Sequence, residues 1–201
     1  MRDLMTFIFC GALAFAAYYY FFADDGVKLS GPKIVNSKQI AAQPSVQIGG
    51  AKFTLTNQFG EKVTEKSLLN SKSLVYFGFT SCPAICPAAL AVMTEAYVQL
   101  GESAAEIKPV FISVDPAVDT PEVMQEYLLN YHKDIVGLTG DKAEIEKLVK
   151  SYKAYANKAD DGQVMHSDLI YLMDENGKYM THFNNENTPA QIAEYVRKHK
   201  K

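Results

Sequence analysis

From residue 53 onwards the apolar residues gather in short runs, separated by glycine, proline and polar punctuation. Residues 74–79 (L-V-Y-F-G-F) and 107–114 (I-K-P-V-F-I-S-V) are apolar, β-branched and aromatic, the mark of strands buried on both faces. They read as parallel neighbours across a right-handed helical crossover through Ala88, Leu90, Met93 and Leu100, with Pro109 at the beginning of the second strand. Before them, Phe53 and Leu55 alternate with polar residues, 57–60 is turn chemistry and Val63 resumes the pattern, predicting a β-hairpin. After them, Thr120, Pro121 and Glu122 open a helix whose apolar face is Val123, Tyr127, Leu128 and Tyr131. Asp141 with Glu144 opens another through Ile145, Leu148 and Val149. Thr188, Pro189 and Gln191 open the last, which ends in basic residues that suit a helix C-terminus. Between these two helices, 168–173 and 178–183 form a hairpin around Asp174, Glu175, Asn176 and Gly177. Strand, helix, strand, helix, hairpin and helix make an α/β domain, placed at 46–201.

The N-terminal pattern differs in kind. Residues 4–23 carry no charge, a stretch long enough to cross a bilayer as a helix of roughly 20 residues. Tyr18, Tyr19, Tyr20, Phe21 and Phe22 would set aromatic rings at one interface. Phe21 and Ala23 do not make a small-x-small cleavage site, which favours an uncleaved anchor over a signal peptide. Arg2 on one side and Asp24 and Asp25 on the other place the folded part outside the cytoplasm. Residues 24–45, with Gly31, Pro32 and Pro44 among polar residues, read as a linker.

Of the 201 residues 48% are hydrophobic and the formal net charge is −3, enough for one core and no electrostatic footprint for nucleic acid. Three cysteines are too few for a disulfide scaffold. Cys10 lies in the apolar stretch, leaving Cys82 and Cys86 as a pair in S-C-P-A-I-C-P directly after the first buried strand. Pro87 disfavours a helical Cys86, predicting Cys86 as helix N-cap and Pro87 as first helical residue. A thiol beside a helix N-terminus tends towards thiolate, the form that attacks disulfides and binds metals. Such a pair suits either a disulfide or a shared metal ion. No serine triad, phosphate loop, paired-carboxylate site or T-x-x-C peroxidatic pattern occurs.

Y-F-G-F-T-S-C-P-x-x-C-P, S-V-D-P-x-x-D-T-P, L-T-G and H-S-x-x-x-Y-L-M-D-E-N-G-K together resemble the SCO/SenC family of membrane-anchored, copper-binding, thioredoxin-like proteins. The resemblance implies a thioredoxin-like central sheet flanked by helices, with the N-terminal hairpin added and a single transmembrane helix before it. It also implies that His166, in the H-S motif, lies beside the cysteine loop and completes a metal site with Cys82 and Cys86. Two thiolates are soft donors that select Cu(I), whereas structural zinc ordinarily wants a fourth protein ligand; Cu(II) is the other copper state to consider. The implied role is a metallochaperone, with subunit II of cytochrome c oxidase and its copper A centre as recipient. A second copper chaperone or a thiol reductant would be a further partner. The implied location is the inner membrane, the domain facing the periplasm or the mitochondrial intermembrane space.

Two competing roles are an enzyme, a thiol:disulfide oxidoreductase using Cys82 and Cys86, and a copper or redox sensor. Three residues between the cysteines, rather than two, weaken the reductase reading. The chain departs from the family pattern at Ala84 and Met165, where acidic residues are common, so partner choice is not simply inherited. Met165 could offer a thioether, but in an extended segment it points away from His166. Asp115 and Asp119 read as turn and capping residues, and His132, His182 and His199 as surface residues.

Overall fold

The computed structural model describes residues 47–68, 70–158, 164–184 and 186–199, with only the backbone described at 157–158 and 164–166. The anchor expected over 4–23 and the linker over 24–45 lie outside the described residues. Among the described residues no helix is long and apolar enough to cross a membrane.

One strand organises the rest. β3 (Lys72–Gly78) is buried at every position, because both its faces and both its edges are covered. It pairs in parallel with β4 (Ile107–Ser113), Lys72 opposite Ile107 through Gly78 opposite Ser113. On its other edge it pairs antiparallel with β8 (Ile170–Met173), Tyr76 opposite Ile170. β1 (Thr54–Asn57), β2 (Lys62–Thr64), β5 (Val136–Thr139) and β9 (Tyr179–Phe183) complete a seven-stranded sheet in the order β2-β1-β5-β4-β3-β8-β9. The expected N-terminal hairpin is therefore joined to the main sheet through the antiparallel pairing of β1 with β5.

Alternation along β3 sends Leu74 and Tyr76 to one face and Val75 and Phe77 to the other. The first face packs on α1 (Ile85–Leu100), α2 (Pro121–Leu128) and α4 (Pro189–Lys198), through Leu90, Met93, Met124, Leu128, Ile192 and Val196. The second packs on α3 (Lys142–Ser151), through Ile145, Leu148 and Val149. Three helix starts match their sequence signals. Thr120 Oγ1 accepts the Val123 N–H, Asp141 Oδ1 accepts those of Ala143 and Glu144, and Thr188 and Gln191 form a reciprocal capping box.

Three features depart from the expectation. Helix α1 starts at Ile85, with Ala84 as N-cap, so Cys86 lies inside the first turn instead of capping it. Pro87 is tolerated there because first-turn N–H groups have no intrahelical acceptor to lose. β5 was not legible, being four residues long and interrupted by Gly137. A further two-stranded sheet, β6 (Ala156–Lys158) with β7 (Val164–His166), carries the segment read only as preceding a strand.

Gly137 explains how α2 lies so close to β5. A Cβ there would fall 2.5 Å from Met124 Cγ and 2.6 Å from Leu128 Cδ1. Gly137→Ala should therefore destabilise the domain by about 1–3 kcal/mol, as overpacked cores do, read as a lowered urea midpoint with an unchanged denaturant slope.

Candidate metal centre

The site is built where β3 hands the chain to α1. The Cys82 N–H donates to the Phe79 carbonyl at 3.3 Å, closing a tight turn. No side chain caps α1 from Ala84. Instead the Cys86 N–H donates to Cys82 Sγ at 3.4 Å, so the sulfur stands where a capping oxygen ordinarily does. Both cysteines are free thiols, Cys82 8% exposed and Cys86 fully buried. Ile85 between them is 54% exposed, which puts an apolar side chain on the solvent side of the loop.

This geometry divides the pair. Burial by itself would raise the Cys82 thiol, but N–H groups of Cys86, Ala84 and Ile85 and the Cys86 side chain outweigh it and hold Cys82 below the usual thiol range. Cys86 moves the other way. Burial pushes it up to about 12, opposed by a hydrogen bond from the Phe79 backbone and raised further by neighbouring Cys82. The thiolate-prone sulfur is thus Cys82, ahead of the helix, and Cys86 is held protonated in reserve.

Sequence reasoning missed the residues behind the sulfurs. The Tyr76 hydroxyl is raised well above the usual phenol range by burial and then by its hydrogen-bonded neighbour Cys86. Tyr127, its ring tilted against Phe111 with centroids 5.9 Å apart, is raised by burial and by its Tyr131 hydrogen bond, and feels both cysteines. A Cβ on Gly78 would lie 2.9 Å from Cys86 Sγ and 2.8 Å from Phe111, so the glycine of Y-F-G-F leaves the room that Cys86 fills. Asp119, read as a capping residue, does not cap α2. Its buried carboxylate turns inward to Thr80 and Ser113. Asp115 does serve the turn, its carbonyl accepting the N–H groups of Val118 and Asp119.

His166 ends β7, its backbone opposite Ala156. The next residue fixes this hairpin base: the Ser167 N–H donates to the Tyr155 carbonyl at 2.8 Å, and the Tyr155 N–H to Ser167 Oγ at 2.7 Å. Because β8 runs antiparallel to β3, the chain entering β8 comes from the end of the sheet at which β3 passes into the cysteine loop. Asp168, two residues after His166, is close enough for its charge to act on the Tyr76 hydroxyl. The imidazole of His166 and the side chain of Met165 lie outside the described residues. Among the described residues no three His, Cys, Asp or Glu side chains are grouped to hold a metal. The other histidines are engaged elsewhere: His132 against the Tyr97 ring, His182 with the Tyr179 hydroxyl, and His199 with the Tyr195 carbonyl.

The sequence signature of SCO1/SenC matches residues 41–201. The chain belongs to the SCO1/SenC family. Among its relatives, the SCO2-like protein of Rickettsia felis is 41% identical over 161 residues, covering 77% of this chain and 78% of the relative. The copper-bound structure of ScoI from Bradyrhizobium japonicum is 41% identical, with a TM-score of 0.69 over 76% of this chain and 99% of ScoI. BsSco, a member of the Sco family of cytochrome c oxidase assembly proteins in which a disulfide switch was identified, is 31% identical, with a TM-score of 0.66 over 75% and 92% of the two chains. The thioredoxin-like arrangement of sheet and helices is thus shared with SCO proteins that hold copper.

The divided thiols give a direct test. Over roughly pH 6 to 9, spanning the ordinary free-thiol value near 8.5, site-resolved alkylation of the reduced protein should modify Cys82 first. Its rate should reach half-maximum at a lower pH than that of an unstructured cysteine peptide measured alongside, because only thiolate reacts, while Cys86 stays unmodified throughout.

Proposed function

We propose that this chain is a membrane-anchored copper metallochaperone that binds one copper ion through Cys82, Cys86 and His166. It passes the ion by ligand exchange to the copper A centre in subunit II of cytochrome c oxidase. The observation that carries the reading is a thiolate-prone sulfur at a helix N-terminus beside a second thiol. The backbone of His166 enters from the same end of the sheet. The donor chemistry fits: two soft sulfurs with one nitrogen suit Cu(I), which accepts low coordination. Copper held by the related ScoI supports the cargo, and the assembly role of BsSco supports the recipient.

In this reading residues 4–23 hold the chain in the inner membrane and 24–45 space the domain from it. The domain over 46–201 then faces the periplasm, or the mitochondrial intermembrane space. Copper-loaded chain meets the recipient, whose donors take the ion as the two sulfurs release it. A second chaperone or a thiol reductant serves the pair beforehand.

The unequal thiols favour one further reading, a thiol:disulfide oxidoreductase. Thiolate Cys82 would attack a partner disulfide and form a mixed disulfide, expelling one partner thiolate. Cys86 would then lose its proton and displace the second, leaving a Cys82–Cys86 disulfide and a reduced partner.

Anaerobic titration of the reduced protein with Cu(I) against a competing chelator should give one ion per chain. Removing a group that only orients a ligand costs about 10–100-fold in affinity, so Cys82→Ala, Cys86→Ala and His166→Ala should each lose at least that. Affinity should fall with acidity, since each thiol must release its proton to bind. Unchanged copper binding in His166→Ala together with fast disulfide turnover would decide for the oxidoreductase.

A further inference from the structure

The S-V-D-P-x-x-D-T-P stretch holds a buried carboxylate that neither copper binding nor thiol exchange uses directly. Asp119 is fully buried, and among the described residues no lysine, arginine or histidine pairs with it. Its partners are donors drawn from the ends of two strands. Thr80 Oγ1 donates to Oδ1 at 2.6 Å, and the Thr80 N–H points between the two oxygens at 3.3 and 3.2 Å. Ser113 Oγ donates to Oδ2 at 2.5 Å.

As a carboxylate Asp119 can only accept, so both hydroxyls donate to it, and Ser113 Oγ also accepts the Asp115 N–H at 3.1 Å. Three donors therefore converge on one side chain, and only an acceptor-only group of this size satisfies them all. An amide in its place would turn N–H towards one of these donors. Leaving a buried donor unmatched is costly.

Thr80 sits between the last residues of β3 and Cys82, and Phe79 beside it receives the Cys82 N–H. Ser113 closes β4 opposite Gly78, and the Val114 N–H donates to the Gly78 carbonyl at 2.8 Å. We propose that Asp119 is a positioning residue that fastens the start of the cysteine loop, through Thr80, to the end of β4 and the 115–120 loop. It thereby holds Cys82 beside Cys86. It touches neither sulfur nor cargo, and its effect on copper rests on the site proposed above.

The test uses the reduced, copper-free full chain equilibrated with glutathione and glutathione disulfide. One equivalent of the disulfide is reduced to two thiols as Cys82 and Cys86 join. Asp119→Asn should lower the equilibrium constant for closing the pair about 10-fold, because a loosened loop lowers the effective concentration of one thiol at the other. Thr80→Val should do the same, and Thr80→Ser, which keeps the hydroxyl, should restore the wild-type value. Asp141→Ala, the loss of a cap on α3, should lower thermal stability and leave this equilibrium alone.

If Asp119→Asn fails to fold, Thr80→Val and Ser113→Ala carry the test. A lowered melting temperature with an unchanged thiol equilibrium in these variants would overturn the proposal. Cu(I) titration of wild type runs alongside. Absence of copper binding there sinks the metallochaperone reading and leaves the Asp119 result standing, whereas normal binding with unmoved thiols sinks Asp119 alone.

Discussion

A helix that follows a buried strand across a short loop needs acceptors for its first N–H groups, and in this chain a sulfur from that loop supplies one. Cys82 Sγ takes the Cys86 N–H where a serine or aspartate oxygen would ordinarily stand. The strand-to-helix joint and the reactive thiol are therefore one interaction. The same N–H groups that need a partner stabilise negative charge on it, while Cys86, within the first turn, is buried against Gly78 and Tyr76 and held neutral.

That joint keeps its shape because β3 cannot move. Both its edges are paired and both its faces packed, so the point at which Gly78 releases the chain is set by the parallel register with β4 and the antiparallel register with β8. The register with β8 matters for chemistry as well as stability. It sets the level at which Asp168 approaches Tyr76, and hence the end of the sheet from which the His166 backbone arrives.

What could be read from the sequence was local. Buried strands, three caps and the terminal hairpin each announce themselves within ten residues, and the cysteine pair is explicit in its loop. β5 was hidden because V-G-L-T is too short for a period, and its glycine has meaning only once Met124 and Leu128 lie across it. The β6–β7 hairpin has three-residue strands with no alternating pattern. The rank order of the thiols followed from burial of Cys86 and from the N–H groups gathered around Cys82, neither of which the flanking residues encode, and a generic preference before Pro87 did not keep Cys86 out of α1. Asp119 was misread for a similar reason. Asp and Thr before Pro look like capping chemistry, and only the inward turn of the carboxylate distinguishes it from Thr120, which does the capping.

The outer ladder of the sheet carries an irregularity. Leu172 faces Thr181, yet Met173 faces Tyr179, so the edge strand β9 holds one residue more than its neighbour there. Such an extra residue bends the strand that contains it and leaves the partner's spacing intact. A slip of one residue between β8 and β3 would carry residues 170–173 about 3.4 Å along the strand axis and turn their side chains to the opposite face.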